Sequence, residues 1–305
     1  MNATTAPRTV AVLGPGGVGG LAAALLARAG HRVICLAGDE TVQVLRSQGV
    51  HVTSGAFGDF SAPVEADTQL RDPVDLCLVG VKQTALASAL ERVPEQLLGD
   101  RGVLVPLLNG LEHLVPLRAR YGDDRVVAAT ISVVSARTAP GRIEHHSPFA
   151  RIDLAAEAVS RARLDDVAAV LGGAGFATRV RTDENAMMWE KLAFLAPMAL
   201  LTTRYGVPLG EVCSAYPDQL RATVGEVATV AGATGAPIDA EAVVGFLTGA
   251  PPASRSSMQR DAEAGRALEL DAIGGAVLRA ARAAGVAVPQ LTRLVDEIHA
   301  TAGRP

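Results

Sequence analysis

The fold is decided by the stretch Thr9-Val10-Ala11-Val12-Leu13-Gly14-Pro15-Gly16-Gly17-Val18-Gly19, near the start of the chain. The apolar run Thr9–Leu13 predicts a buried strand, and the alanine- and leucine-rich residues 18–29, closed by Gly30, predict a helix. Between them lies a G-x-G-x-x-G pattern. A glycine-rich turn that leads from a strand directly into a helix is the setting in which this pattern binds a dinucleotide.

The glycines of this turn have separate physical roles. Gly14 permits the tight turn, Gly16 lets the backbone approach a pyrophosphate, and Gly19 lets the helix pack closely on the strand. The N–H groups of the first helical turn and the helix dipole then attract phosphate charge. We therefore predict a cofactor-binding loop, with a ligand-free glycine turn as the alternative. Its residues are Gly14, Pro15, Gly16, Gly17, Val18 and Gly19.

Strand and helix patterns alternate along the first half of the chain, which predicts right-handed βαβ crossovers and a mostly parallel, Rossmann-type α/β sheet. The predicted strands are Thr9–Leu13, Arg32–Leu36, 76–81, 103–107 and Ala177–Val180, and the predicted helices are 18–29, 41–48, 85–98 and 164–171. Further strands are expected between residues 126 and 153. We assign residues 1–182 to an NAD(P)-binding domain.

After about residue 183 the patterns predict helices alone, which assigns residues 183–305 to an all-helical substrate and catalytic domain. The predicted helices are 185–204, 219–232, 240–247, 256–263, 269–284 and 290–302. Pro197 is expected to break the first of them locally and to kink it.

The composition favours a globular protein that acts on small molecules. Hydrophobic residues make up 49% of the chain, the formal net charge is −4, and no block of Lys or Arg is present. Nucleic acids and anionic membranes attract concentrated positive charge, so neither is expected as a partner. Cys35, Cys77 and Cys213 are far apart in the sequence, which indicates reduced thiols and no disulfide framework. The first nine residues are polar and lack the apolar segment of a signal peptide. We expect a cytoplasmic protein.

Cofactor choice is read at the end of the second strand, where the sequence is Cys35-Leu36-Ala37-Gly38-Asp39. An acidic residue there accepts hydrogen bonds from the ribose hydroxyls of NAD and repels a 2′-phosphate. Asp39 is therefore a candidate cofactor-binding residue. Capping of the following helix is the alternative role.

Two further candidates follow predicted strands at the edge of the sheet where ligands bind. Lys82 comes after the strand 76–81, and Asn109 follows the strand 103–107. The alternatives are a solvated surface charge for Lys82 and a plain Asn109-Gly110 turn.

Three polar residues of the helical half are candidates for catalysis and substrate binding. Lys191 shares a helix face with Leu195, so its amine either reaches out to water or is desolvated, and desolvation would favour proton donation. Ser257 and Glu269 stand 12 residues apart. The alternatives are that Ser256 or Ser257 caps a helix and that Glu269 is a solvated helix charge. His113, His145 and His146 have no partners at metal-ligand spacing, so no metal site is expected.

Taken in order, these segments resemble the ketopantoate reductase (2-dehydropantoate 2-reductase) family over nearly the whole chain. The likeness rests on the glycine turn, Val81-Lys82, Asn109-Gly110, Met188-Trp189-Glu190-Lys191-Leu192, Ser256-Ser257-Met258 with Asp261, Glu269, and the stretch from Ala280 to Pro289. The resemblance implies a Rossmann-type N-domain and a helical C-domain of the 6-phosphogluconate dehydrogenase-like type, with the active site in the cleft between them.

The resemblance also implies an activity: NADPH-dependent reduction of 2-dehydropantoate to (R)-pantoate, on the route to pantothenate. In that comparison Lys191 matches the catalytic proton donor, and Glu269 matches the carboxylate that binds the substrate hydroxyl. Ser257 matches a contact to the substrate carboxylate, Asn109 a contact to substrate and cofactor, and Lys82 a cofactor contact. A homodimer stays open as an alternative to a monomer.

The sequence departs from the family pattern at two places. Leu195 and Ala199 stand where the family usually has asparagines that face the substrate, which favours a more apolar substrate. No Arg stands at the end of the second strand, so NAD(H) is an alternative to NADP(H). Two further hypotheses therefore stay open: an oxidoreductase of another carbonyl substrate in specialised metabolism, and a non-catalytic dinucleotide sensor.

Overall fold

The structure, a computed structural model, describes residues 6–302. Residues 1–5, part of the polar segment that argued against a signal peptide, lie outside the described residues. The chain forms two compact units, one of residues 1–108 and 113–184 and the other of residues 109–112 and 185–305. The predicted boundary at 182 did not anticipate that Asn109–Glu112 belongs to the second unit.

The first unit holds all the described strands. Its elements, in chain order, are β1 (Thr9–Leu13), α1 (Gly17–Arg28), β2 (Arg32–Leu36), α2 (Asp39–Gln48), β3 (Val50–Ser54), β4 (Phe60–Ala62), β5 (Glu65–Asp67), β6 (Val74–Val79), α3 (Leu86–Leu90), β7 (Leu98–Pro106), α4 (Leu114–Tyr121), β8 (Ala128–Ser132), β9 (Ser135–Ala139), β10 (Arg142–His145), β11 (Arg151–Ala155), α5 (Arg161–Gly173) and β12 (Ala177–Val180).

Five of these strands form the expected parallel sheet, in the order β5-β2-β1-β6-β7. β1 lies at its centre and pairs in parallel with β2 on one side and with β6 on the other. Its residues Val10, Ala11 and Val12 are completely buried, because a central strand of a sheet covered on both faces has no solvent side. This arrangement confirms the Rossmann-type α/β class.

Three predicted elements of this unit are wrong in extent. The strand expected at 103–107 is β7, which already begins at Leu98. The strand expected at 76–81 is β6, which ends at Val79. The helix expected at 85–98 is instead a 3₁₀ turn over Gln83–Ala85, the short α3, and a second 3₁₀ turn over Glu95–Leu97. Pro94 lies between the last two pieces, and a proline inside a helix removes a hydrogen bond and clashes with the preceding turn.

Two smaller sheets complete the first unit, with the orders β4-β3-β10-β9 and β12-β11-β8. The sequence predicted strands between 126 and 153 but missed β3, β4 and β5. β3 pairs in antiparallel fashion with the neighbouring β4, Val52 opposite Phe60, and in parallel with β10 across about ninety residues of sequence, Val52 opposite Ile143. The second pairing is not visible in a local pattern.

The second unit is helical, as predicted. α6 (Glu184–Tyr205) begins on the last residue of the first unit, and the remaining helices are α7 (Leu209–Ala215), α8 (Pro217–Ala233), α9 (Ala240–Gly249), α10 (Ser257–Glu263), α11 (Ala276–Ala284) and α12 (Pro289–Ala302). α6 continues through Pro197 without ending, so the local break expected there is absent. α7 was not predicted, and a π-helical turn over Asp271–Gly275 precedes α11.

No single described helix is long and apolar enough to cross a membrane, although α6 and α7, which are bent by 83° relative to each other, pass the test of length and composition as a pair. Many α6 residues, among them Trp189, Leu192 and Leu200, are buried in the apolar core of the second unit.

Candidate active site

The glycine turn has the geometry that each of its positions predicts. Gly14 has a φ of 83°, and a Cβ on it would lie 2.5 Å from Cγ1 of Val81. A Cβ on Gly19 would collide with the carbonyl oxygen of Gly14. Around Gly16, by contrast, nothing lies within 4 Å of a Cβ position. The turn is therefore closed on the side of the strand and the helix, and it is open at Gly16.

The open side carries the first turn of α1, whose N–H groups have no partners within the helix. Gly16 precedes the helix in an extended conformation, with no side chain capping these groups. A diphosphate would find there free backbone donors, the positive end of the helix dipole, and space for a close approach. The turn therefore fits a dinucleotide. Pro15 is buried and has no backbone N–H, so it would only shape the turn. Val18 packs partly against the core and would contribute its backbone N–H.

Ser135 supports this turn, and the sequence interpretation missed it. Its Oγ donates a hydrogen bond of 2.7 Å to the carbonyl of Gly17, and a Cβ on Gly17 would lie 2.5 Å from the carbonyl oxygen of Ser135. Gly80 was also missed: a Cβ there would lie 3.1 Å from both the Gly14 oxygen and the Gly19 Cα. A glycine directly after a buried strand was the available signal for Gly80.

Asp39 and Lys82 both lie at the carboxyl edge of the parallel sheet. Gly38, not Asp39, is the N-cap residue of α2, so the alternative role predicted for Asp39 is wrong. Asp39 is the first residue of the helix, and its side chain is exposed. Lys82 follows β6 by three residues and is half-buried. Both residues belong to the first unit, together with the glycine turn.

Asn109 and Glu269 come together in the second unit. Nδ2 of Asn109 donates a 3.1 Å hydrogen bond to Oε2 of Glu269, whose side chain is only 8% exposed. Gly110, with a φ of 92°, fixes this approach, because a Cβ there would run into the carbonyl oxygen of Ala272 in the π-helical turn. Asn109-Gly110 is therefore more than a plain turn, and Glu269 is not a solvated charge.

Lys191 lies half-buried on α6. Leu195 and Ala199, one and two turns further along, are buried in the apolar core, and Phe194 packs partly against it. Phe194 also makes an edge-to-face contact with the exposed Phe246 of α9, at 5.0 Å between ring centroids. The residues of α6 that follow Lys191 by one and two turns are thus apolar.

Ser257 is the exposed first residue of α10. The helix cap is Ser256, whose Oγ accepts a 3.0 Å hydrogen bond from the backbone N–H of Gln259. Of the two serines considered for capping, Ser256 is therefore confirmed and Ser257 is not the cap. Ser256 Oγ also lies 2.9 Å from Oγ1 of Thr202 on α6. This buried hydroxyl pair joins the start of α10 to the helix that carries Lys191, and no local sequence pattern indicates Thr202.

The remaining residues considered in the sequence analysis are cysteines and histidines. Among residues 6–302, no group of three or more His, Cys, Asp or Glu side chains is placed to hold a metal ion. Burial raises the pKa of the Cys35 and Cys77 thiols to about 12, which keeps them protonated and unreactive at neutral pH. His145 is buried between the hydroxyls of Ser54 and Ser147, and its burial lowers its pKa.

Comparison with known proteins places both units in one family. Residues 10–156 match the family model described as Ketopantoate reductase PanE/ApbA, and residues 183–302 match the model of its C-terminal part. A 2-dehydropantoate 2-reductase of Caulobacter vibrioides is 29% identical over 303 residues, which is 96% of this chain and 99% of the relative.

Solved structures agree with this result. A 2-dehydropantoate 2-reductase from Geobacter metallireducens has a TM-score of 0.89 at 27% identity, covering 96% of this chain and 99% of that one. A D-mandelate dehydrogenase, solved with NADH and anilino(oxo)acetate, has a TM-score of 0.88 at 20% identity, covering 96% and 98%. The second likeness shows a shared fold.

Proposed function

The chain belongs to the ketopantoate reductase family of oxidoreductases, which act on a carbonyl or its alcohol, and from this membership we propose that it reduces a 2-keto acid to a 2-hydroxy acid with a nicotinamide dinucleotide. The preferred substrate in this proposal is 2-dehydropantoate, with (R)-pantoate as the product, a reaction of pantothenate biosynthesis.

The residues proposed to hold the cofactor are those of the first unit. The backbone of Gly14–Gly19 binds the diphosphate, Lys82 adds a positive charge, and Asp39 lies where the adenosine ribose is read. The bound dinucleotide supplies the hydride. NADP(H) follows from the family, and NAD(H) is the alternative because Asp39 is exposed where a 2′-phosphate would be repelled.

The observation that carries the proposal is the choice of cations in this sequence. Lys82 and Lys191 are the only two lysines among its 28 Lys and Arg residues. An arginine stays protonated under all ordinary conditions, whereas a lysine can give up its proton. A chain that uses arginine almost everywhere therefore keeps an ammonium at the position proposed for the proton donor.

In the proposed mechanism Lys191 is the general acid. As the hydride reaches the carbonyl carbon, the carbon–oxygen double bond becomes single and the Lys191 ammonium gives its proton to the oxygen. Glu269 accepts a hydrogen bond from a substrate hydroxyl, since a carboxylate has room for acceptors beyond the one used by Asn109. Ser257, exposed at the start of α10, donates to the substrate carboxylate.

Substitution of Lys191 tests this assignment. Lys191→Arg keeps a positive charge but removes a transferable proton, so we expect kcat with 2-dehydropantoate to fall by about 10²–10⁴, the usual contribution of general acid catalysis. The Kd of NADPH should stay within about twofold. A variant that keeps more than half of the turnover would exclude Lys191 as the proton donor.

A second candidate function keeps the chemistry and changes the substrate. Leu195 and Ala199 stand where the family usually has asparagines that face the substrate, which favours a 2-keto acid with an apolar branched or aryl group. Assays with 2-dehydropantoate, 3-methyl-2-oxobutanoate and phenylglyoxylate separate the two. Preference for either apolar acid supports this candidate, and tight NAD(P)H binding without turnover of any acid supports a sensor instead.

A further inference from the structure

Arg92 joins the two loops that end the strands β2 and β5. Its Nη1 donates a 2.9 Å hydrogen bond to the carbonyl of Ala37, directly after β2, and a 2.6 Å hydrogen bond to the carbonyl of Thr68, directly after β5. The carbonyl of Arg92 itself accepts from the backbone N–H of Leu70 at 2.8 Å. One side chain from the segment that follows α3 thus fixes two neighbouring loops.

The rest of the network leaves the loop after β2 little freedom. The N–H of Ala37 donates to the carbonyl of Asp67 at 3.1 Å, so both polar groups of Ala37 are held. The Asp67 carboxylate accepts from the N–H of Thr68 at 2.6 Å and from Arg71 Nε at 3.0 Å, and the Arg71 guanidinium lowers the pKa of that carboxyl. The network therefore stays charged and intact at neutral pH.

The position of this network within the fold connects it with ligand binding. Ala37 and Thr68 lie at the carboxyl ends of adjacent parallel strands, which is the edge where such sheets bind their ligands. Asp39, the residue at the end of β2 that would read the adenosine ribose, stands two positions after the carbonyl that Arg92 holds. A shift of Ala37 would displace Asp39 with it.

We propose that Arg92 is a positioning residue for the adenosine half of the dinucleotide: it fixes the Ala37–Asp39 loop in the conformation that binds the nucleotide. This inference rests on the proposed function only in requiring that the chain bind a dinucleotide. Arg92 need not touch the ligand, since holding the loop in its bound conformation removes the ordering cost from the binding step.

The test compares Arg92→Met with a matched control. Arg163 is also half-buried and also bridges carbonyls of separate segments, donating to Asp124 at 2.9 Å and to Gly102 at 2.9 Å. Gly102 lies in β7, which is at the opposite edge of the sheet from β5, and Asp124 follows that strand in the sequence. Arg163→Met therefore removes an equivalent bridge in the same unit, away from the proposed nucleotide loop.

The readouts are the Kd values of ADP and NADH by calorimetry and the unfolding midpoint of the ligand-free protein. For Arg92→Met we expect both Kd values to rise about tenfold, with kcat at saturating cofactor unchanged and with partial recovery in Arg92→Lys. For Arg163→Met we expect a lowered midpoint and unchanged Kd values. ADP lacks the nicotinamide, so its binding is informative even if no keto acid is reduced.

Two results would overturn the inference. If Arg92→Met lowers the midpoint but leaves the Kd of ADP within twofold, Arg92 is a purely structural residue. If the unaltered protein binds none of ADP, NADH and NADPH, the nucleotide loop itself is wrongly assigned. Loss of keto-acid reduction with normal ADP binding would instead contradict the proposed reaction and leave the role of Arg92 standing.

Discussion

Gly110 shows how a single missing side chain can assemble a site. Its positive φ and its close approach to the carbonyl of Ala272 hold Asn109 where it donates to Glu269, 160 residues further along the chain. A hydrogen bond to a charged group contributes about 1.5–3 kcal/mol, and its loss leaves a buried carboxylate poorly satisfied. The geometry of the pair therefore depends on a glycine that never contacts substrate.

Gly110→Ala should separate this pair. We expect kcat/KM for the keto acid to fall by about 10²-fold, since a misplacement of about 1 Å at a site has that effect. Gly206→Ala is the control, because Gly206 also has a positive φ, of 68°, but nothing lies within 4 Å of its Cβ position. Equal losses of kcat/KM in both variants would attribute the effect to backbone strain and exclude a specific role for Gly110.

Several residues of the candidate site could be named from the sequence, but the residues that hold them in place could not. The glycine turn could be predicted because strand–turn–helix order is a local signal. Lys191 became a candidate as an ion in an apolar helix, and its role was taken from the family resemblance. Ser135, Thr202 and Arg92 act through contacts to residues far away in the sequence, so no spacing or periodicity reveals them. The Asn109–Glu269 hydrogen bond is another non-local contact of this kind.

At the scale of elements, burial decided what could be predicted. β1 was predicted to the residue because a central parallel strand is apolar at nearly every position. β3 reads Val-His-Val-Thr-Ser, in which polar residues alternate with the buried valines, and it was missed. The segment 85–98 has helical composition, but Pro94 and tertiary packing of Leu86, Ala89 and Leu90 favour short turns.

In the turn between β1 and α1, two nearby glycines have different roles: one is needed for folding and the other for cofactor binding. Gly19→Ala places a Cβ against the Gly14 carbonyl and should destabilise the protein, whereas Gly16→Ala places one in open space. We expect Gly19→Ala to lower the unfolding midpoint by several degrees, and Gly16→Ala to leave it within about 2 °C. Only Gly16→Ala should combine an unchanged midpoint with a Kd of NADPH raised tenfold or more. Normal NADPH binding by Gly16→Ala would mean that the diphosphate lies elsewhere.

For the whole molecule, the scarcity of lysine makes the proposed site chemically addressable. Reductive methylation can modify only Lys82, Lys191 and the α-amino group, and both lysines are half-buried. We expect NADPH to slow modification of Lys82, and NADP⁺ with 2-dehydropantoate to slow modification of Lys191, while the α-amino group reacts equally in every sample. Peptide mass spectrometry measures the three rates. Unchanged modification of Lys191 in the presence of keto acid would place the substrate away from it.

Buried histidines make the folded state less favourable in acid. Among the described residues, His31, His113 and His145 are buried, and burial lowers the pKa of each. The largest effect is on His113, which is 1% exposed and whose pKa falls from 6.5 to about 4. Neither of its ring nitrogens has a hydrogen-bond partner among the described residues.

His113 therefore makes folding sensitive to pH in a defined direction. Between pH 6.5 and about 4 the unfolded chain binds a proton that the folded chain does not, so the free energy of unfolding falls as the pH falls through this window. At the lower end of this window, His113 lowers the free energy of unfolding by about 3 kcal/mol. His113→Phe removes the titrating ring and its unsatisfied nitrogens, so stability at pH 7 should be equal or higher.

Urea unfolding at pH 4.5, 5.5, 6.5 and 7.5 measures this contribution. We expect His113→Phe to lose less of its free energy of unfolding between pH 7.5 and 4.5 than the unaltered protein does. His113→Leu, a second apolar replacement, separates the loss of titration from any effect of ring size. His299→Gln, at an exposed histidine of α12, should follow the unaltered protein because that side chain is in solvent whether the chain is folded or not. Parallel pH curves for all four proteins would show that the pKa of His113 is the same in the folded and the unfolded chain, and would contradict this prediction.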